Sequence, residues 1–206
     1  MGLWEKRVVP RLVDWSLRAP EIGELRTEVC AGLRGEVLEI GFGSGLNTRF
    51  YPGQVSTVNA VEPSDVAWHL SERRRATSRV PVVRVGLDGQ SLAADDASYD
   101  AVLSTFTLCT IPDVTRALAE VRRVLRPGGA LHFVEHGLAP EPGVVAWQSR
   151  LEPMQRRLAG GCHLSRDIPA LVRDAGLEIE ELREEYLDGP RVARPWTYGY
   201  LGRATA

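Results

Sequence analysis

The chain is 206 residues long, 44% apolar and 25% charged, with 25 basic against 27 acidic side chains. That balance suits one soluble globular domain with a sizeable core, and it offers no basic surface for a nucleic acid or an anionic membrane. Three cysteines, Cys30, Cys109 and Cys162, form an odd set without metal-ligand spacing, which points to reduced thiols in a cytoplasmic protein and to no metal.

No apolar run approaches the ~18 residues that cross a bilayer. Met1-Gly2 opens like an acylation site, but Lys6 stands where Ser or Thr is required. Over residues 1–34, Leu3, Trp4, Val8, Val9, Leu12, Val13, Trp15 and Leu17 alternate with basic residues. The spacing predicts short amphipathic helices broken near Pro10 and Pro20. Five apolar strands follow: EVLEI (36–40), VSTVNAVE (55–62), VPVVRVG (80–86), YDAVLSTF (99–106) and GALHFVEH (129–136). Between them, Ser64 is placed to cap a helix over SDVAWHLSERRRA. In DVTRALAEVRRVL (113–125), Val114, Ala117, Leu118, Val121, Val124 and Leu125 share one stripe, and RPGG (126–129) should stop that helix. After the loop GLAPEPG come an inserted helix, VVAWQSRLEPMQRRL, and a helix over SRDIPALVRDAG capped by Ser165. Two last strands are expected over 177–186 and roughly 196–204. Alternating helices and near-continuous apolar strands predict an open α/β, Rossmann-like sheet covered on both faces.

In such folds ligands bind at the carboxyl ends of the strands. Gly41, Gly43 and Gly45 fall where the first strand turns away, and glycine lets a ligand press against bare backbone. The third glycine comes one position too early for a dinucleotide fingerprint, and the Gly-Lys-Ser/Thr of a P-loop is missing. Glu39 would repel a diphosphate at this turn and attract a cationic amino group or sulfonium. Glu62 ends the second strand, where a carboxylate can accept ribose hydroxyls. Asp88 follows the third strand, where an adenine amino group would find an acceptor, although Asp88-Gly89 is also a plain turn signature. Ribose, adenine and a positive amino-acid tail together describe S-adenosylmethionine.

The segments VLEIGFGSG, VEP, DAVLSTFTLCTI and EVRRVLRPGGALHFVEH resemble the class I S-adenosylmethionine-dependent methyltransferases, in the branch that includes the quinone C-methyltransferases. The resemblance implies a seven-stranded sheet of order 3-2-1-4-5-7-6 with the seventh strand antiparallel. It assigns Glu39, Gly41, Gly43 and Gly45 to the methionine end of the cofactor and Glu62 to the ribose. Asp88 with Gly89 matches the acid after strand three, and Thr105 and Phe106 match the end of strand four. The product would be S-adenosylhomocysteine. One domain is expected over 1–206: a helical lid (1–34), a cofactor-binding core (35–136), and acceptor-side helices with the last two strands (137–206). TFTLCTI, GGALHFVEH, GCHLSRD and RPWTYGY are similar to the alkyl thiol methyltransferases, which methylate small alkyl thiols or hydrogen sulfide. Animal members of that group carry an apolar N-terminal anchor. Here the N-terminal segment is charged and interrupted by prolines, so peripheral contact through its helix is expected rather than stable insertion.

Methyl transfer from a sulfonium is an in-line displacement that asks mainly for alignment and exclusion of water. A thiol acceptor must also lose its proton. His136, after strand five, is the first candidate base, with Glu135 beside it to orient it or to bind a cationic acceptor. His163, next to Cys162 in the loop GGCHLSRD, is the second; Cys109 reads as packing. The acceptor is expected to be a small molecule, with a lipid amine or a quinone ring as alternatives to a thiol. A cofactor-binding protein without turnover is a further reading, and the glycine spacing disfavours an NAD-dependent oxidoreductase. Oligomeric state is not legible in the sequence.

Overall fold

The structure, a computed structural model, describes residues 4–206; Met1, Gly2 and Leu3, and with them the Met-Gly opening, lie outside the described residues. Trp4–Val8 form a π turn that runs into α1 (Val9–Ser16), followed by α2 (Pro20–Ala31). The segment breaks before Pro20, as the spacing predicts, and Pro10 and Pro20 open α1 and α2. Each stands in a first turn, where no intrahelical N–H is needed.

Seven strands, β1 (Gly35–Ile40), β2 (Val55–Val61), β3 (Val82–Gly86), β4 (Tyr99–Thr105), β5 (Leu125–His136), β6 (Glu178–Tyr186) and β7 (Tyr198–Thr205), form one sheet. Their order is β3-β2-β1-β4-β5-β7-β6. The first five run parallel, and β7 is antiparallel to both β5 and β6, as the family resemblance implies. The remaining helices are α3 (Asp65–Leu70), α4 (Glu72–Ala76), α5 (Val114–Val124), α6 (Pro142–Leu158), α7 (Ile168–Asp174) and α8 (Arg194–Thr197). Among the described residues no helix is long and apolar enough to cross a membrane.

The central strands are apolar on both sides because both sides are covered. On one face Val37, Leu103 and Val134 pack with Leu25, Val29 and Leu33 from α2 and the turn after it. On the other, Leu38, Ile40, Val102 and Phe133 pack with Leu118 and Val121 of α5 and with Ile168 and Val172 of α7. The predicted stripe of α5 is buried as expected, and Asp113 caps it by accepting from the Arg116 amide at 3.0 Å.

Four expectations change. β3 is an edge strand, and its alternate residues Val83 and Val85, with Leu87 just beyond it, remain exposed. The helix expected after Ser64 is two, α3 and α4, divided at Ser71. β5 begins at Leu125, four residues early: RPGG forms an irregularity within the strand, where the register jumps from Tyr99↔Leu125 to Ala101↔Ala130. Gly129 is required there, since a Cβ would lie 2.9 Å from the Arg126 carbonyl oxygen and 3.0 Å from that of Asp100. Finally, α7 is capped by Asp167, which accepts from the Ala170 amide. Ser165 is unavailable, because its amide and hydroxyl both donate to Glu152 on α6.

Candidate active site

The ends of β1, β2, β4 and β5 meet at one edge of the sheet, and the glycine turn leaves β1 there. Gly41, Gly43 and Gly45 have φ of +71°, +58° and +76°, a region that side chains resist. A Cβ on Gly41 would lie 2.1 Å from the Thr107 hydroxyl, so the turns after β1 and β4 touch. At Gly43 a Cβ would meet nothing nearer than 3.8 Å, which leaves the loop open on that side. Glu62 lies across this opening. Its Oε2 accepts from the Gly43 amide at 2.6 Å and its Oε1 from the Ser64 amide at 2.7 Å. Burial raises its pKa, against those two hydrogen bonds. A bare glycine backbone beside a buried carboxylate is a donor and acceptor set that fits the amino-acid tail and ribose of S-adenosylmethionine.

Glu39 stands differently from its expected role. It is 1% exposed and lies under the loop, with Oε1 accepting from Asn47 Nδ2 at 2.9 Å and Oε2 from the Tyr51 hydroxyl. Burial outweighs these bonds and brings its pKa up to about 7. Arg26 of α2, 4% exposed, donates to Asn47 Oδ1 and, at 3.1 Å, to Thr105 Oγ1. Thr105 also accepts from Asn47 Nδ2 at 3.1 Å. Glu39 thus anchors the floor of the loop through a charged network. Arg26, Asn47 and Tyr51 were not singled out from the sequence. Arg26 carried a signal: it lies on the apolar stripe of α2 with Ile22, Leu25 and Val29, where a charge needs a partner.

Asp88 is exposed and accepts from the amide and the side chain of Gln90, which is the turn arrangement. Gly89 packs on the end of β1, where a Cβ would come within 2.8 Å of Ile40. Phe106 follows Thr105 with φ of +54°, a strained setting for an aromatic residue of the kind found at functional sites. Its amide donates to the Val134 carbonyl, which fixes the turn against β5.

Glu135 is fully buried, and its carboxylate is committed to the chain around it. It takes hydrogen bonds from the Ser104 hydroxyl and from the amides of Thr107, Leu108 and Cys109, so it shapes the turn after β4. His136, at the end of β5, lines an apolar cavity of about 140 Å³ with Leu25, Phe106, Val134, Trp196 and Leu201. Its Nε2 lies 2.9 Å from Cys162 Sγ, and Cys162 Sγ lies 3.9 Å from Cys109 Sγ. Bonding to the Cys109 thiol, then to His136, outweighs burial and brings Cys162 down to about 5. Cys109 is pushed well above the usual thiol range by Cys162 and by burial. Burial pushes His136 down, but Cys162 and Glu135 raise it on balance. His163 is turned elsewhere: its Nδ1 pairs with Glu152 Oε1 at 3.0 Å, and it is absent from the cavity wall. A larger cavity of about 330 Å³, lined by Arg18, Arg49 and Arg74, contains none of the predicted site residues.

Residues 38–133 match the family described as Methyltransferase domain. Human thiol S-methyltransferase TMT1A is 34% identical over 182 residues, which covers 82% of this chain and 72% of that protein. Rat thiol S-methyltransferase TMT1B is 36% identical over 137 residues, 64% of this chain and 55% of the relative's own length. Among solved structures, the methyltransferase in the Haloferax volcanii complex with the Trm112 activator aligns with a TM-score of 0.72 at 18% identity, covering 98% of this chain and 96% of its own. A Thermotoga maritima S-adenosylmethionine-dependent methyltransferase, described as a possible histamine N-methyltransferase, aligns at 0.69 with 22% identity, over 98% and 97% of the two chains. These two structures share the fold.

Proposed function

The chain belongs to the class I S-adenosylmethionine-dependent methyltransferases, in the group that includes the thiol S-methyltransferases, and from that premise we propose that it methylates a small apolar thiol. One observation carries the choice of acceptor. His136 opens onto a small apolar cavity and already holds a sulfur at 2.9 Å from Nε2.

Bound S-adenosylmethionine supplies a methyl group on a sulfonium leaving group. The backbone of Gly41, Gly43 and Gly45 and the carboxylate of Glu62 would hold it, with Glu39 and Arg26 keeping the loop in shape. Leu25, Phe106, Trp196 and Leu201 exclude water from the acceptor. Cys162 and His136 share one proton across the 2.9 Å contact between Sγ and Nε2. An acceptor thiol entering the cavity hands its proton to the Cys162 sulfur and takes that sulfur's place beside the Nε2–H of His136. The acceptor thiolate is then the nucleophile. His163 keeps a supporting place through Glu152, and the helical segment before β1 is read as the lid.

The test is an acceptor panel. The purified chain is incubated with methyl-labelled S-adenosylmethionine and short alkyl thiols, lipid amines, quinols and phenols, and products are identified by mass. Thioethers should dominate. Labelled lipid amine or quinone products with unlabelled thiols would replace the thiol reading, and no labelled product from any class would favour a binding protein without turnover.

A further inference from the structure

We propose that Cys109, Cys162 and His136 form a three-ligand site for a thiophilic divalent cation of the zinc class, and that its occupation takes His136 and Cys162 away from the acceptor. One ligand atom from each residue lies within 4.8 Å of the others, and all three residues are drawn from different parts of the chain. Cys109 comes from the turn after β4, His136 from the end of β5, and Cys162 from the loop after α6.

The spacing suits zinc. At a Zn–S bond of about 2.3 Å and tetrahedral angles, two thiolate sulfurs stand about 3.8 Å apart; here they are 3.9 Å apart. A zinc-bound sulfur and imidazole nitrogen stand about 3.5 Å apart, so the 2.9 Å between Cys162 Sγ and Nε2 must open by about half an ångström. His136 Nδ1 is buried without a hydrogen-bond partner, so no bond at that nitrogen opposes the movement. Glu135 is not in this group of ligand atoms; its carboxylate holds β4 and the turn after it. Two thiolates and a neutral imidazole leave zinc with no net charge, which a buried site tolerates. Of the three ligands His136 alone lines the cavity, and three protein ligands leave the fourth position of the ion to water. Binding releases two protons, one from the Cys109 thiol and one shared by Cys162 and His136, and no oxidation is involved.

The inference shares His136 with the proposed function, yet it is read without turnover. The reduced, metal-free chain is titrated with Zn²⁺ against a chromophoric chelator, and with Co²⁺ as a spectroscopic substitute. One equivalent should bind with Kd below about 1 μM. Cys109→Ser and Cys162→Ser should each weaken binding by at least 100-fold while melting cooperatively. If a serine variant fails to melt cooperatively, the wild-type Co²⁺ spectrum decides: thiolate-to-cobalt charge transfer with tetrahedral bands supports the site, and an octahedral spectrum without it overturns it. Serine variants that bind Zn²⁺ as tightly as the wild type also overturn it. Methyl transfer should fall in step with zinc occupancy. A chain that turns over but holds no zinc refutes this site and leaves thiol methylation standing; one that binds added zinc, yet methylates no thiol in its metal-free form, does the reverse.

Discussion

Glu62 is the side chain whose position says most about the cofactor. Glu62→Gln keeps the shape but turns an amide NH₂ toward one of the two backbone N–H groups that the carboxylate now satisfies. A lost hydrogen bond to a charged group is worth ~1.5–3 kcal/mol. Calorimetry should therefore show S-adenosylhomocysteine binding weakened about 10- to 100-fold, and unchanged affinity would take Glu62 out of the site. Glu62 and the glycines were legible because each belongs to a local pattern, a strand followed by a turn. Arg26 and the Cys109–His136–Cys162 cluster were not, since Cys162 lies 26 residues from His136 and 53 from Cys109 and only the folded sheet brings them together. Glu135 shows the converse. Its position beside His136 suggested chemistry, but its hydrogen bonds build a turn.

At the level of elements, periodicity found α5 and the strands, while ends depended on contacts that the sequence alone does not rank. Ser165 and Asp167 were both able to cap α7, and Glu152 on α6 decided between them. Asp167→Ala should then cost about 1 kcal/mol of stability, measured by urea unfolding; a loss within error would show that the cap is dispensable. β5 offers a pH-dependent test. His132 is buried beneath α2, and burial brings its pKa down from about 6.5 to about 4. The native state therefore keeps it neutral while the unfolded chain binds a proton, so its contribution is complete above pH 6.5 and lost as pH falls toward 4. Glu39, raised to about 7, acts in the opposite sense over a similar range, so the wild-type curve alone does not separate them. The stability difference between the wild type and His132→Gln should widen as pH rises from about 4 to about 6.5. Parallel curves would mean that His132 does not titrate on unfolding.

For the whole molecule, one topological choice connects cofactor and acceptor. Insertion of β7 antiparallel beside β5 sets Gly199 opposite His136 and Tyr200 opposite Glu135, so the C-terminal strand walls the cavity that the N-terminal half opens. The strand order was legible through the family resemblance, and the cofactor through the first hundred residues. The acceptor cavity was not, because its walls come from α2, the turn after β4, β5, α8 and β7 at once. The most direct measurement compares the wild type with His136→Ala, using S-adenosylmethionine and a short alkyl thiol and following the thioether by mass. Loss of one preorganised donor to a reacting charge costs about 10²- to 10³-fold. The wild type should form the thioether, and His136→Ala should form it at least 100-fold more slowly with S-adenosylhomocysteine affinity retained. Equal rates in the two proteins, or no thioether from the wild type, would contradict methyl transfer to a thiol held by His136.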